Sequence, residues 1–403
     1  MKHNDTILDL GEFYVSEFVG HINNSHVGLK FPLKLIWDDK MQCPVLTEQP
    51  PHDMMWGKYW YRSGINPTMV KDLKNVVESI NELVDPPTER GKIWVDIASN
   101  DGTLLKEVDK NYMRIGIDPC NGEIADMCKE NANMVVQDYF SEKAYESLEL
   151  WDKANVITCC AMFYDLKHPM VFLEDVANVL ADDGIFVMQY TYTPTMLAMA
   201  DFMNICHEHY AYHYFENVYD MMVVNGIQPF KVEFNDVNGG SIRIYADKSK
   251  RPIHISVYDT LKAESKVDKK ESWKMFKDVI EMNRFKLVDF IKLLNQRGKS
   301  VWGYGASTKG NTLLQWYGLD SDDIFRIADA NTTKEGRYTK GSGIKITSEK
   351  EWRDAKPEYT VIMPFHFKDF FLQKEKAYLD NGGVFIIPCP SPCLISKNGV
   401  EYI

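Results

Sequence analysis

Positive charge is in short supply in this 403-residue chain, where 46 Lys and Arg stand against 58 Asp and Glu and leave a formal net charge of -12. Affinity for a phosphate backbone comes largely from Lys and Arg neutralising phosphates, so a nucleic-acid partner is excluded and any anionic ligand must be held by a local arrangement. Long hydrophobic runs are missing too. The most apolar stretches, VITCCAMF from Val156 and GIFVMQY from Gly184, fall far short of the ~20 residues a membrane span needs and read as buried strands, so no membrane partner is expected. The opening MKHNDTILDLGEF lacks the charged and then apolar pattern of a signal peptide. The eight cysteines form no disulfide framework: they are scattered, Cys159 and Cys160 adjoin inside an apolar run, and Cys389 and Cys393 lack a second pair. Reduced thiols and a cytoplasmic location are expected. No low-complexity tract or internal repeat is visible.

What is present is an ordinary globular composition, 45% hydrophobic and 26% charged, in a chain longer than one core usually serves. Three regions separate by pattern. Residues 1–66 are irregular and aromatic-rich, ending in WGKYWYRSGINP, and read as a small N-terminal lobe. Across residues 67–250, helical stretches alternate with short apolar runs (KIWVDIA, YMRIGID, NMVVQ, ANVITCC, GIFVMQY, SIRIYAD), the pattern of a mostly parallel sheet covered by helices. In residues 251–403, a stretch from about Asp259 to Gln296 has helical periodicity through Trp273, Phe276, Val279, Ile280, Phe285, Leu287, Phe290 and Leu294 and is expected to bridge two lobes. Alternation then resumes with SVWGYG, IFRIAD, YTVIMPF and GVFIIPC. The fold class is α/β, with two Rossmann-like domains beside a small lobe.

VDIASNDGTLL, from Val95, reads as strand, small-residue turn and helix, a place where Asp96, Ala98, Ser99, Asn100 and Gly102 let backbone approach a ligand. The next strand ends in GIDP, which puts Asp118 and Pro119 where an acid of such folds accepts hydrogen bonds from ribose hydroxyls. QDYF offers Asp138, Tyr139 and Phe140 at a third strand end, suited to adenine, and Ala161 follows a fourth strand. Asp96, Asp101 and Asp118 are each also ordinary turn or N-cap residues, so the reading rests on signals arriving at successive strand ends. Without a full GxGxxG, the unit favours S-adenosylmethionine over a dinucleotide.

FMNICHEHYAYHYF, from Phe202, concentrates Cys206, His207, Glu208, His209 and His213. His supplies a base near neutral pH and Glu orients it, which suits proton abstraction beside a carbonyl. The spacings of His207, His209 and His213 also fit metal ligands, but no motif elsewhere completes such a site; plain packing is the other reading. VWGYGASTKGNTLLQ, from Val301, gathers Tyr304, Gly305, Ala306, Ser307, Lys309, Gly310 and Asn311 at a strand-turn-helix junction, where N–H groups, the helix dipole and a lysine favour a diphosphate. NGGSIRIY adds Asn238, Gly240, Ser241 and Arg243, either toward the same ligand or as a hairpin turn.

SNDGTLL, HEH, NGGS and above all WGYGASTKGNTLL resemble the nucleotide-sugar C-methyltransferases. The resemblance spans nearly the whole chain and implies an N-terminal zinc lobe, an S-adenosylmethionine-dependent methyltransferase domain and a C-terminal domain that holds the nucleotide sugar. It implies His209 as the base, with Glu208 beside it. Three departures accompany it. The family's tyrosine before HEH is Cys206 here, a poor oxyanion donor that leaves Tyr61 of YWYRSG as a substitute. FYDLKH offers Tyr164 and Asp165 where a histidine often follows the fourth strand, and of two CxxC-like zinc pairs only Cys43 remains, so zinc is not predicted. The expected activity is methylation at carbon of a nucleotide-linked keto-deoxysugar. The rival readings are a nicotinamide-dependent oxidoreductase, with GYGAS as cofactor loop and Asp329 as its acid, and a non-catalytic nucleotide-sugar binder.

Overall fold

The computed structural model describes residues 6–56, 61–87, 91–150, 152–248 and 250–403. Residues 57–60 of the aromatic run lie outside them. The N-terminal lobe contains β1 (Thr6–Tyr14), β2 (Phe18–Val19), β3 (Lys30–Asp38) and β4 (Cys43–Leu46). β1, β3 and β4 form an antiparallel sheet in which Phe31, Leu33, Leu35 and Trp37 of β3 face inward, the period of two that a one-sided sheet demands.

The central sheet comprises β5 (Ile93–Ile97), β6 (Met113–Ile117), β7 (Met134–Val136), β8 (Ala154–Cys160), β9 (Leu180–Thr191), β10 (Gln228–Asn235) and β11 (Ser241–Asp247). Their spatial order is β10-β11-β9-β8-β5-β6-β7, parallel from β9 through β7, with β11 antiparallel to both β9 and β10. Helices cover both faces, so every residue of IWVDI in β5 is buried. Strand order reverses between β5 and β8, and a crevice opens beyond the carboxyl ends of that pair.

The C-terminal domain adds β12 (Val301–Tyr304), β13 (Ile327–Asp329), β14 (Tyr338–Thr339), β15 (Ile346–Ser348), β16 (Tyr359–Ile362), β17 (Val384–Ile387), β18 (Cys393–Ser396) and β19 (Gly399–Tyr402). Seven of these build a second sheet in the order β15-β13-β12-β16-β17-β18-β19, while β14 pairs with β2 of the N-terminal lobe. The expected long helix is two: Ile255–Glu264, then Lys269–Gln296 capped by Asp268, whose carboxylate accepts the Glu271 N–H. Trp273, Phe276, Ile280, Leu287 and Leu294 are buried along the second, but Val279 and Phe285 face outward, because a 28-residue helix buries one stripe only. None of the described helices is long and apolar enough to cross a membrane.

The N-terminal lobe leans on both neighbours. The Leu46 N–H donates to the Tyr210 carbonyl at 2.8 Å and the Tyr212 N–H to the Pro44 carbonyl at 3.0 Å, which joins β4 to the HEH segment. On the other side, the Tyr14 N–H donates to Gln315 Oε1 at 2.9 Å, and Gln315 Nε2 donates back to the Tyr14 carbonyl at 3.1 Å. Leu8, Leu33, Phe202, Trp273 and Trp302 share one apolar core across all three regions.

Candidate active site

A cavity of about 440 Å³ lies beyond the carboxyl ends of β5, β6 and β8. Asp96, Ala98, Ser99, Asn100, Asp118 and Pro119 form its floor, Tyr139 and Phe140 one wall, and Ala161 the turn after β8. Ala98 and Ala161 both hold φ of +56°, the left-handed turn that swings the chain off each strand and leaves only a methyl group in the way of an occupant. Asp118 is fixed from both sides: Oδ2 accepts the Asn100 N–H at 2.8 Å and Oδ1 the Cys120 N–H at 2.7 Å. Each oxygen keeps a lone pair for a hydroxyl donor. Asp96 accepts the Thr158 hydroxyl at 2.7 Å, and burial pushes its carboxyl up to about 7.

Across the cavity stand Tyr61, Cys206, Glu208, His209, Asn238 and Lys309. His209 is buried, its ring centroid 4.0 Å from that of Tyr164 at a tilt of 40°. Burial, and then the Lys309 charge, hold its pKa well below the usual histidine value, so the imidazole is neutral at rest. Glu208 is buried beside it, and burial raises its carboxyl. The Cys206 Sγ lies 3.8 Å from the Asn204 carbonyl, and burial pushes its thiol far up. The Lys309 ammonium donates to Asn204 Oδ1 and lies within electrostatic reach of Glu208, Asp165 and His209.

Several expected residues stand elsewhere. His207 turns away: its Nε2 meets the Phe31 carbonyl at 3.2 Å, tying the segment to β3, and burial lowers its pKa to about 4. Asp138 is exposed and accepts the N–H of Tyr139 at 2.8 Å, outside the lining; Gly102 faces the backbone of Cys128. Arg243 lies in the sheet, not in the cavity. Its guanidinium donates to Gln189 Oε1 at 2.8 Å, Asp72 Oδ1 at 3.2 Å and Asn75 Oδ1 at 3.0 Å, anchoring helix Pro67–Asn81 to β11. Ser241 donates its hydroxyl to the Val237 carbonyl, and Gly240 makes room for Thr195.

The glycine turn of the C-terminal domain is likewise mostly structural, with Lys309 and its neighbour Thr308 on the lining. Tyr304 donates to Glu375 at 2.8 Å, and the Ala306 carbonyl accepts from Lys334 at 2.7 Å. The Ser307 hydroxyl caps the helix by accepting the Gly310 N–H, and Asn311 donates to the Glu17 carbonyl. Gly305, at φ +84°, packs so closely that a Cβ would sit 2.5 Å from Pro364. The N-terminal lobe covers this helix start, which no local pattern reveals. Asp329, the acid a nicotinamide reading requires, is half-buried and paired with Lys334 at 3.6 Å.

The residues that sequence reasoning left aside are Tyr164 and Asp165, both on the lining, and Gln49, whose amide nitrogen lies 3.4 Å from the Asp165 carbonyl and 3.3 Å from that of Glu208. FYDLKH marked the first two; nothing local marked Gln49. Among the described residues no group of three or more His, Cys, Asp or Glu is placed to hold a metal ion, and Cys43 lies buried, 3.8 Å from His213 Nδ1.

A family model of the methyltransferase domain matches residues 70–226, and one described as the C-methyltransferase C-terminal domain matches residues 236–390. The chain is thus similar to methyltransferases across its central domain and to C-methyltransferases across its C-terminal one. C-methyltransferase NovU of Streptomyces niveus is 26% identical over 377 residues, covering 91% of this chain and 88% of that protein. Among solved structures, magnesium protoporphyrin IX methyltransferase (ChlM) of Synechocystis PCC 6803 with bound SAH aligns with a TM-score of 0.36 and 13% identity, over 46% of this chain and 88% of that one. An S-adenosylmethionine-dependent methyltransferase from Clostridium acetobutylicum ATCC 824 aligns with a TM-score of 0.34 and 9% identity, over 44% and 91%. The methyltransferase domain needs a methyl donor, and S-adenosylmethionine is the candidate. The floor of its cavity fits that group, with a doubly anchored carboxylate at the end of β6, narrow turns after β5 and β8, and aromatic side chains beyond β7.

Proposed function

We propose that this chain is an S-adenosylmethionine-dependent C-methyltransferase that acts on a nucleotide-linked keto-deoxysugar, at a carbon next to the ketone. The observation that carries the reading is a neutral, buried His209 in the same cavity as Asp118. When bound, S-adenosylmethionine supplies a methyl group on a sulfonium as the electrophile. Asp118 would hold the ribose hydroxyls, with Tyr139 and Phe140 against the adenine and Asp96 and Ser99 shaping the turn beneath. His209 would take the proton from the carbon beside the ketone, leaving the electron pair delocalised onto the carbonyl oxygen. Glu208 would orient the imidazole, as a supporting carboxylate does. Lys309, Lys167 and Asn238 stand on the lining to receive the charged and hydroxylated parts of the acceptor.

The test incubates the protein with S-adenosylmethionine and a panel of nucleotide-linked keto sugars in heavy water. Methyl transfer to carbon is expected, with deuterium wash-in at that carbon that disappears in His209→Ala. Transfer to oxygen, or undiminished wash-in without His209, refutes the assignment. Glu208→Gln should slow turnover with little change in cofactor affinity.

A further inference from the structure

If the carbon next to a ketone is deprotonated here, the oxygen that receives the charge needs a hydrogen-bond donor, and Cys206 is a weak one. Asp165 lies in the turn after β8, on the lining of the same cavity, directly after the tyrosine that packs on His209. Gln49 reaches the Asp165 and Glu208 carbonyls with a single amide nitrogen, so the two turns are held side by side. Of the two carboxyls brought together, Glu208 has donors of its own, its backbone N–H and the Cys206 thiol. Asp165 is different: Oδ1 is sealed from solvent without a hydrogen-bond partner. Among the described residues, Lys309 is the cation that faces both. One cation and one set of donors support one anion, and Glu208 is the better placed to carry it.

Resting on the keto-sugar reading above, we propose that Asp165 is a catalytic residue that presents a carboxylic O–H to the acceptor's ketone oxygen and stabilises the charge developing there. The proton stays on Asp165 throughout. The C–H bond breaks toward His209, the electron pair moves to the oxygen, and the carbonyl re-forms when the carbon takes the methyl group. Burial, with the Glu208 charge second, holds the Asp165 carboxyl well above the usual carboxylate range. Among the described residues, the other titratable groups facing it are Lys309, Cys206, Tyr164, Cys159 and Tyr212. Among side chains a neutral carboxylic acid in an apolar site is an effective oxyanion donor.

Two measurements on the full chain test this. First, infrared difference spectra at neutral pH between native protein and Asp165→Asn should contain a protonated-carboxyl C=O band belonging to the native protein; the absence of that band overturns the proposal whatever the acceptor is. Second, a thymidine diphosphate-linked 4-keto-6-deoxyhexose is incubated in heavy water with S-adenosylhomocysteine, and wash-in at carbon is followed. Asp165→Asn keeps an N–H donor and should stay within about tenfold of native, whereas Asp165→Ala should fall about 100-fold with KM little changed. Equal losses in the two variants mean that a carboxylate was required and overturn the donor role. A band with no native wash-in overturns the keto-sugar reading, and Asp165 loses its role with it.

Discussion

Asp118 carries the donor site because neither of its oxygens is free to swing: one is tied to the Asn100 N–H and the other to the Cys120 N–H. Asp118→Ala removes the acceptors for the ribose hydroxyls along with those two anchors. Charge-assisted hydrogen bonds contribute about 1.5–3 kcal/mol each, so with two lost the affinity for S-adenosylhomocysteine should fall about 100- to 10,000-fold by calorimetric titration. His213 illustrates the opposite use of a titratable group. It is buried with Asn217 on its Nδ1, and burial lowers its pKa to about 3. The folded pKa lies below the unfolded value of about 6.5, so only the unfolded chain takes up this proton as pH falls, and stability is lost from about pH 6.5 down to about 3. His213→Asn should lose about 2 kcal/mol less than native between pH 7 and pH 5, seen as a smaller drop in Tm over that interval.

At the level of elements, the strand ends were readable because each motif is local: β5, its turn and the next helix occupy fifteen consecutive residues, and the apolar runs were long enough to be strands. The direction in which a turn faces was not readable. NGGSIRIY looks like a ligand loop until β11 is seen between β9 and β10, where Arg243 points into the sheet and meets Asp72. Removing that guanidinium strands a buried carboxylate. Arg243→Met should cost about 3–5 kcal/mol in a denaturation midpoint and leave the acceptor KM of the folded fraction unchanged. Gly305 belongs to the same lesson, since its φ of +84° and the closeness of Pro364 explain the glycine without any phosphate. Gly305→Val should lower Tm by several degrees through backbone strain and overpacking.

Across the whole molecule, the three-part organisation showed in the alternation of patterns, but the wiring between the parts did not. Ser16 donates its hydroxyl to the Thr308 carbonyl, 292 residues away, and Gln315 exchanges hydrogen bonds with Tyr14 across 301. Such pairs leave no trace in spacing or periodicity. They explain why a turn that looks open in the sequence is covered in the fold. Gln315→Ala deletes both bonds to Tyr14, and the N-terminal lobe should become more susceptible to limited proteolysis while cofactor affinity stays at the native level. The loss expected is about 1–3 kcal/mol, as two buried backbone groups lose their partner.

The joins between β4 and residues 210–212, and between Tyr14 and Gln315, also set an order of events during synthesis. This lobe is synthesised before both of its supports, with one rim that waits for the HEH segment and another that waits for the helix bearing Gln315. Its apolar edges therefore stay uncovered until those later segments are made, and the lobe is finished only after the helix that bears Gln315 has formed.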